Sequence, residues 1–250
     1  MGSFREDFGG GRLDPERWVD HYLPHWTTPD RSRARWSIGA DGLELRVEFD
    51  QPPWRDADGP MRVSNLQTGT FAGPVGSATG THRHRLDGLR VVTDQPVRRL
   101  WTPTGGRLEV AARASADPLC MLGIWLVGFE AFGPQDSGEI CLAEVFGDRT
   151  GRDRSTVRTG IKAHHDPRLT TDLQDVVLPI DATEPHVYAA EWDGSGVRLS
   201  VDGVEIKSSR QALTYELQLM IGLFEFPDAG PREPADYPKT AVVRSVVAIG

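Results

Sequence analysis

Residues 137–147 read SGEICLAEVFG and place two glutamates, Glu139 and Glu144, inside a run of strand-forming residues. In a regular strand, side chains at even offsets share a face, so Glu139 and Cys141 face one way and Glu144 faces the other. One extra residue in a β-bulge reverses that parity and brings Glu144 back beside Glu139. We therefore expect a bulged strand with both carboxylates on one face. The alternative is an ordinary strand whose glutamates face solvent.

Short alternating apolar runs recur between turn signals along the rest of the chain, which is typical of an all-β sandwich. Asp202-Gly203 predicts a tight hairpin turn, because glycine accepts a positive φ. Helical periodicity is scarce, and Asp14–Trp18 predicts one short turn. No linker or repeat divides the chain, so we predict a single domain over residues 1–250. The predicted strands are Trp36–Ile38, Leu43–Phe49, Ser64–Gly69, Arg107–Ala114, Leu119–Val127, Glu139–Phe146, Val157–Ala163, Asp175–Pro179, His186–Trp192, Val197–Val201, Val204–Ser208, Leu217–Leu223 and Ala241–Ile249.

The composition favours some ligands over others. The chain has 250 residues and a formal net charge of −8, which argues against a nucleic-acid partner because phosphate backbones attract basic surfaces. A neutral polysaccharide or oligosaccharide is compatible with that charge. The seven Trp offer flat faces on which sugar rings can pack, although a core role is the alternative for most of them. The sequence does not disclose an oligomeric state.

The chain carries no sign of a membrane span or of a targeting segment. No stretch approaches about 18 consecutive apolar residues, so we predict no membrane partner. The start, Met1-Gly2-Ser3, runs into the first strand without a signal-peptide pattern. The compartment stays open, since the protein is cytoplasmic if the chain is complete and secreted if a leader has been trimmed.

Cysteine and histidine positions do not predict a metal site. Cys120 and Cys141 are expected to lie in buried strands as small apolar groups, and a single bridge between them is left open. No zinc signature joins these cysteines to the scattered histidines, which include His82, His84, His164 and His165. We therefore predict no metal and no cofactor.

The segment around Glu139 and Glu144 resembles the signature of glycoside hydrolase family 16, whose bulged members read roughly Glu-Ile-Asp-Ile-x-Glu between glycines. Several other segments resemble the family's motifs and follow its order. These are the opening Phe4–Trp18, the Gly-Arg-Phe-Glu-Val-like strand Gly106–Val110, the Ala-Phe-Trp-Leu-like strand Gly123–Leu126, the His-x-Tyr-x-x-Glu-Trp-like strand His186–Trp192, and the Val-Asp-Gly hairpin at Val201–Gly203. The resemblance spans most of the chain. It implies a jelly-roll β-sandwich of two antiparallel sheets, one of them curved around a concave ligand cleft.

The resemblance also implies roles for the acidic residues. Glu139 would be the nucleophile and Glu144 the general acid/base of a retaining glycosidase, which requires a carboxyl separation of about 5–5.5 Å. In the family a histidine on the neighbouring strand often contacts the acid/base or the substrate, which favours His164 over His165 here. A pair of loop-capping histidines is the alternative interpretation.

The family's middle aspartate is replaced by Cys141 in this chain. That aspartate is thought to lie between the two glutamates and to influence their charge and proton position. A thiol is a weak donor and is ordinarily neutral, so the coupling between the remaining carboxylates changes. Cys141 is thus predicted either as a modified catalytic position or as a small residue that fills the cleft floor.

Aromatic residues supply the candidate substrate platforms. Trp125 follows a segment that resembles a cleft-lining strand of the family, with a core tryptophan as the alternative. Trp101, Trp54 and Trp26 lie in proline-rich, loop-like segments from which they could reach a cleft. Asn65 could donate to sugar hydroxyls, with a strand-end turn residue as the alternative.

Two further segments affect the predicted ligand. The strand ending at Phe224–Phe226 is unusually apolar, which makes Phe224 a candidate contact and favours a more hydrophobic ligand. Residues 73–99 are not assigned to strands. They are expected to form a loop or hairpin that covers one end of the cleft.

Three functions are consistent with these features. The first is a retaining endo-acting glycoside hydrolase on β-1,3-linked glucan, because the family's bulged spacing favours that class over the mixed-linkage enzymes. The second is a glycan-binding module with impaired catalysis. The third is a repurposed enzyme that acts on a non-sugar hydrophobic small molecule in the same cleft. Cys141 and the apolar Phe224–Phe226 end motivate the last two.

Overall fold

The computed structural model describes residues 3–85, 87–227 and 232–249. Almost all of the regular structure is β-strand, as expected from a chain rich in alternating runs and turn residues. The strands are β1 (Phe4–Glu6), β2 (Arg35–Gly39), β3 (Gly42–Val47), β4 (Arg62–Gln67), β5 (Gly69–Thr70), β6 (Arg98–Arg99), β7 (Gly106–Arg113), β8 (Cys120–Gly128), β9 (Glu139–Phe146), β10 (Ser155–Lys162), β11 (Asp172–Leu178), β12 (His186–Asp193), β13 (Gly196–Val201), β14 (Val204–Ser209), β15 (Leu217–Glu225) and β16 (Lys239–Ile249). The helical segments are α1 (Pro29–Ser32) and the 3-10 turns Pro24–Trp26, Asp56–Asp58, Gly147–Arg149 and Pro234–Asp236.

Two antiparallel sheets form the body of the fold. The eight-stranded sheet runs β14-β13-β12-β7-β16-β3-β2, with β1 added beside β16. The six-stranded sheet runs β11-β10-β9-β8-β15-β4, and β5 and β6 pair separately. The predicted all-β sandwich of two antiparallel sheets is therefore confirmed.

The sandwich core lies between the two sheets. In β3 and β7 buried residues alternate with less buried ones, so these strands have one face on the core and one toward solvent. In β8 and β15 every residue is buried, because the second face of the six-stranded sheet is covered as well. A second apolar cluster provides this cover, and it includes Leu23, Trp26, Trp54, Leu89 and Val91 from the loops.

The strand predictions hold in outline. β9 has the predicted bounds, and the other predicted strands are present with ends shifted by one to three residues. β1 begins at Phe4, where a first strand was expected without stated bounds. The two-residue strands β5 and β6 were missed, because two residues give no readable alternation. Asp14–Trp18 forms one turn closed by the Trp18 N–H donating to the Asp14 carbonyl at 3.0 Å, as predicted.

A buried ion-pair network connects the two sheets at one edge. Glu225 at the end of β15 is fully buried and pairs with Arg62 of β4 at 3.0 Å. Its other oxygen lies 3.4 Å from Lys239 Nζ of β16 and accepts from the Tyr237 hydroxyl at 2.5 Å. Because buried charges are tolerated only when they are paired, this network fixes the relative position of the two sheets.

Cys120 and Cys141 are both buried and free, so the disulfide that the sequence left open is absent between these two residues. Residues 73–85 and 87–99 form the predicted cover, with Leu89 and Val91 packed in the second apolar cluster. Within the part of the chain that is described, no helix is both long and apolar enough to cross a bilayer.

Candidate active site

The predicted bulge is present in β9. On the β8 side Cys141 pairs with Trp125 while Ala143 pairs with Ile124, so Leu142 is the extra residue. On the β10 side the same shift occurs between Arg158 and Gly160. Leu142 thus reverses the side-chain parity of the strand, and Glu144 lies on the same face as Glu139.

Neighbouring β10 residues accommodate the bulge. The Thr159 hydroxyl lies 3.0 Å from the carbonyl oxygens of both Cys141 and Leu142, where the ladder is disrupted. Gly160 has φ +138°, and a side-chain Cβ there would lie 2.1 Å from the Asp172 carbonyl oxygen. Glycine is the residue that fits this position, so the local sequence of β10 is matched to the bulge.

The two glutamates are almost completely buried. Glu139 is 2% exposed and Glu144 is 7% exposed. A carboxylate oxygen of each lies within 4.8 Å of the other and of the Cys141 sulfur. This spacing is close to the roughly 5–5.5 Å between carboxyl groups that a retaining glycosidase needs.

Lys162 at the end of β10 binds both carboxylates. Its ammonium nitrogen lies 2.8 Å from Glu139 Oε1 and 2.6 Å from Glu144 Oε1. It also lies 5.3 Å from the centre of the Trp125 ring, within range of a cation–π contact. Burial alone would lower the pKa of Lys162, but the charge of Glu139 and the acidic groups beside it raises the pKa above its usual value.

Glu139 is held as a carboxylate by two partners. Burial alone would raise its pKa, but the charge of Lys162 and the hydrogen bond with His164 hold the pKa of Glu139 well below its usual range. The His164 Nε2 atom lies 2.9 Å from Glu139 Oε2. Glu139 is therefore ionised at neutral pH, as an attacking carboxylate must be.

Cys141 lies between the glutamates as a neutral group. Burial, and then the negative charge of Glu144, raise the pKa of the Cys141 thiol well above its usual value. Its sulfur lies 3.6 Å from the Arg158 carbonyl oxygen, to which the thiol donates weakly. The residue thus separates the two carboxylates without adding a charge.

Trp125 positions Glu144. Its indole N–H donates to Glu144 Oε1 at 3.2 Å, and its ring packs edge-on against Phe224 at 5.3 Å. Gly123 leaves room for the indole, since a Cβ there would lie 2.2 Å from the ring. Trp125 is 7% exposed, so it is a wall of the site more than an open platform.

A cavity of about 210 Å³ lies beside Glu139, Lys162 and Trp125, whereas Glu144 and Cys141 lie behind these side chains and do not line it. Its polar side consists of His82, Glu139, Lys162 and His164. The remaining wall is apolar or aromatic and consists of Tyr22, Met61, Met121, Trp125, Val127, Met220, Phe224 and Phe226. The site is thus a small pocket with one charged end, and the expected cleft lining of Trp125 and Phe224 is part of it.

The other predicted substrate contacts do not line this cavity. Trp26 and Trp54 are buried in the second apolar cluster, where their indole N–H groups donate to the carbonyls of Thr81 and Tyr22. Trp101 packs beside Phe4 at 5.4 Å. Each tryptophan is therefore held by the core or the loop cover.

Asn65 does not line the cavity either. It is fully buried on β4, and its side-chain amide atoms have no partner among the described residues. Asn65 is the direct cross-strand partner of Gly222 of β15, and a Cβ on Gly222 would lie 2.8 Å from the Asn65 side-chain oxygen.

Sequence reasoning missed Lys162 and His82. Lys162 is the direct β10 partner of Glu139, so a correct pairing of the two predicted strands would have placed it next to the carboxylates. His82 lies in the unassigned 73–99 segment and packs edge-on against His164 with ring centres 4.8 Å apart. No periodic signal marks a loop residue of this kind. His165 instead bonds the Arg83 carbonyl at 2.7 Å.

Two groups of side chains among the described residues are close enough to hold a metal ion. One is Glu139, Cys141 and Glu144, and the other is His82, Glu139 and His164. In the first group Lys162 already occupies the space between the carboxylates, so its ammonium competes with any added cation. The second group is free of that competition at Glu139 Oε2, where His164 is the partner.

A larger depression of about 700 Å³ lies on the eight-stranded sheet. Arg107, Glu191 and Arg198 line it, and they form ion pairs with one another. Its lining carboxylates are Glu191, which pairs with both arginines, and Asp193, whose Oδ1 accepts from Ser195 within its own turn. We therefore place the candidate active site in the smaller cavity.

Solved structures with this fold were found, and they are glycan-acting enzymes. The GlcNAcα1-4Gal-releasing endo-β-galactosidase of Clostridium perfringens is 23% identical with a TM-score of 0.82, covering 98% of this chain and 61% of that chain. The laminarinase of Rhodothermus marinus is 19% identical with a TM-score of 0.65, covering 98% and 95%. The laminarinase of Flavobacterium sp. UMI-01 is 15% identical with a TM-score of 0.66, covering 99% of each chain.

These similarities establish the fold. The chain has the fold of enzymes of the glycoside hydrolase family 16 type, so the resemblance seen in the sequence is confirmed at that level. The chain spans about three-fifths of the endo-β-galactosidase chain. No protein-family model and no curated protein matches the sequence.

Proposed function

We propose that this protein is a retaining glycoside hydrolase in which Glu139 is the nucleophile and Glu144 is the general acid/base. The observation that carries this proposal is the bulge at Leu142, which brings the two carboxylates to within 4.8 Å on one face of β9. The shared fold with known glycosidases supports it.

The first chemical step forms a glycosyl-enzyme. A Glu139 oxygen attacks the anomeric carbon, the bond from that carbon to the leaving oxygen breaks, and Glu144 gives its proton to that oxygen. Lys162 and His164 hold the Glu139 carboxylate in place through both of its oxygens. A nucleophile fixed in this way loses little freedom when it attacks.

The second step releases the sugar. Glu144, now a carboxylate, takes a proton from water while the water oxygen attacks the anomeric carbon and Glu139 leaves. Glu144 Oε1 already accepts from Lys162 and from the Trp125 indole. Oε2, for which the described residues supply no partner, is therefore the oxygen that carries the proton in both steps.

The proposed substrate is a neutral β-linked glycan, cut internally, with β-1,3-linked glucan as the first choice. Two of the similar structures are laminarinases, which supports a glucan as the substrate. The similar Clostridium perfringens enzyme is an endo-β-galactosidase, which makes a β-galactoside the second choice. The apolar wall suits either sugar, because the carbon-rich face of a pyranose packs on aromatic rings such as Trp125.

Reducing-end release from laminarin and from a β-galactan tests the proposal. Glu139→Gln and Glu144→Gln are each expected to lower kcat by on the order of 10²–10⁴-fold or more without unfolding the chain. Glu205→Gln, at an exposed position of β14, is the matched control. Full activity in either the Glu139 or the Glu144 variant would contradict the assignment.

The apolar wall also favours a second candidate, a non-sugar hydrophobic ligand. Met61, Met121 and Met220 contribute flexible, polarisable surface next to Phe224 and Phe226. The second function replaces the first if two results are obtained together. Laminarin and galactan are neither cut nor bound, and a fluorescent hydrophobic probe binds the wild type but not the Met220→Lys variant. Glycan binding without turnover would instead indicate a lectin-like module.

A further inference from the structure

We infer that His82, His164 and Glu139 form a binding site for one divalent transition-metal ion. One ligand atom from each of the three side chains lies within 4.8 Å of the others. Two imidazoles and one carboxylate suit Zn²⁺, Co²⁺, Ni²⁺ or Fe²⁺, and they leave positions open for water. No metal signature is readable in the sequence, because the three ligands lie far apart along the chain.

The three ligands converge from different elements. Glu139 begins β9, His164 follows β10, and His82 comes from the covering loop. His164 Nε2 is 2.9 Å from Glu139 Oε2, and the His82 ring stands nearly perpendicular to the His164 ring at 83°. Metal ligands lie about 2.0–2.2 Å from the ion, so the His82 ring would move toward the Glu139–His164 pair when an ion binds.

The backbone aims both histidines at this point. His82 has φ 56° and His164 has φ 46°, and both values lie in the left-handed region that residues other than glycine seldom adopt. The His82 main-chain N–H donates to the buried Glu130 carboxylate at 2.5 Å, which fixes the loop. Such unfavourable conformations persist where the surroundings impose them, and they cluster at functional sites.

The His82 imidazole differs from the other histidine rings in its hydrogen bonding. Among the described residues its imidazole nitrogens have no hydrogen-bond partner, although the ring lines the cavity. His165 and His186, in contrast, bond carbonyl or carboxylate groups through their rings. An imidazole with free nitrogens facing a carboxylate–imidazole pair is the arrangement that a metal ion completes.

The local charge also favours a cation. Glu139 is an ionised carboxylate, and Lys162 pairs with it on the Oε1 side. Glu139 Oε2 therefore still offers a negatively charged donor atom at this end of the cavity. The metal would bind Oε2, so Lys162 keeps both of its ion pairs.

Binding replaces a proton. When His164 Nε2–H donates to Glu139 Oε2, the incoming ion takes the place of that proton, which leaves to solvent or returns to the ring at Nδ1. The metal ion and the ligand atoms keep their oxidation states in this exchange. A proton and the metal ion therefore compete for the same imidazole nitrogen.

Calorimetric titration of the chelator-treated full chain with Zn²⁺, and with Co²⁺ followed by its absorption spectrum, tests the site. One ion per chain is expected. His82→Ala and His164→Ala should each weaken binding by roughly 100-fold or more. His186→Ala, which removes a histidine paired with Asp202 on the other sheet, should leave binding unchanged.

Absence of binding by the wild type, or unchanged binding by a folded His82→Ala variant, overturns the proposal. His82→Gln provides a second variant of similar size, and circular dichroism checks folding in each case. These titrations contain no glycan, so their outcome is independent of the proposed hydrolysis.

Inhibition of glycan release by the bound metal ion is a further expectation, and it rests on the proposed function. An ion on Glu139 Oε2 would block the nucleophile, so Zn²⁺ should inhibit glycan release by the wild type. The His82→Ala variant should not be inhibited. Chelation should restore the wild-type rate. Inhibition that is equal in both proteins contradicts an inhibitory role for this site.

Discussion

Lys162 is the cation that links the two glutamates of the site. Its ammonium nitrogen lies 2.8 Å from Glu139 Oε1 and 2.6 Å from Glu144 Oε1. Cys141, in place of an acidic residue, adds a neutral thiol beside them. The pKa of Glu139 is low chiefly because Lys162 and His164 outweigh its burial.

Replacing Lys162 by Met should bring the acid limb of the pH–rate profile up into the range above pH 3, because burial would then raise the pKa of Glu139 unopposed by that cation. The profile of glycan release between pH 3 and pH 8 measures this. Lys207→Met removes the same charge from an ion pair with Asp172 and is the control. An unmoved acid limb in Lys162→Met would contradict the role given to Lys162.

Glu130 predicts how stability changes with pH. Burial raises the pKa of Glu130 from 4.5 to about 8, although the N–H groups of His82 and Arg83 oppose this. The folded chain therefore keeps a proton that the unfolded chain loses above pH 4.5. This contribution to stability is complete at low pH and declines as pH rises toward about 8.

Chemical unfolding of wild type and Glu130→Gln between pH 5 and pH 8 measures the effect. The contribution of Glu130 to the pH slope should be a fall of at most about 1.4 kcal/mol per pH unit in wild type, and the glutamine variant should lack it. Glu184→Gln, at an exposed position, should retain the wild-type slope. Identical slopes in wild type and Glu130→Gln would show that Glu130 titrates normally.

At this scale the sequence identified Glu139, Glu144, His164 and Trp125, which the structure places together at one site. These residues were recognisable because each belongs to a short stretch of sequence that can be interpreted without knowing how distant strands pair. Lys162 and His82 required knowledge of which strands pair and where the loop folds back. Trp26 and Trp54 were placed wrongly with respect to the cavity, since a proline-rich context does not distinguish a cleft aromatic from a buried one.

The β9–β10 pair is the element on which the site depends. Leu142 shifts the register, and Gly160 provides the conformation and the space that the facing strand needs. Any side chain at position 160 would be forced against the Asp172 carbonyl, where a Cβ would lie at 2.1 Å. Parity shows that the two glutamates can share a face only if the strand is bulged, and the resemblance to the family favours that bulge. The glycine at position 160 becomes understandable only once the register is known.

Gly160→Ala should lower the free energy of unfolding by about 1–3 kcal/mol, because alanine at φ +138° is strained and its Cβ contacts the β11 backbone. Urea unfolding measures this loss. Gly194→Ala, in a turn where nothing lies within 4 Å of the added Cβ, is the matched control. Equal stability of the two variants would contradict the strain at position 160.

The buried Glu225 network acts at the scale of the whole molecule, because it joins β4 and β15 of one sheet to β16 of the other. Glu225→Gln leaves the buried Arg62 guanidinium without its carboxylate. We expect a loss of about 3–5 kcal/mol in the free energy of unfolding, measured by urea titration. Glu205→Gln, exposed on β14, should cost little, and a comparable cost for both variants would contradict the role of the network.

The two-sheet architecture was predictable from alternation, since β3, β7 and β13 each place apolar residues on one face. The strand order within each sheet was not, because partners such as β15 and β4 are far apart in sequence. The covering loop was the least predictable part. Its contacts depend on Leu89 and Val91 meeting aromatic residues from the first quarter of the chain.

The anomeric configuration of the first product tests the central claim most directly. Proton NMR during the first minutes of glycan hydrolysis distinguishes the two anomers before they interconvert. A retaining pair formed by Glu139 and Glu144 predicts that a β-linked substrate yields the β-anomer first. Initial release of the α-anomer, or no release from any β-linked glucan or galactan, would contradict it.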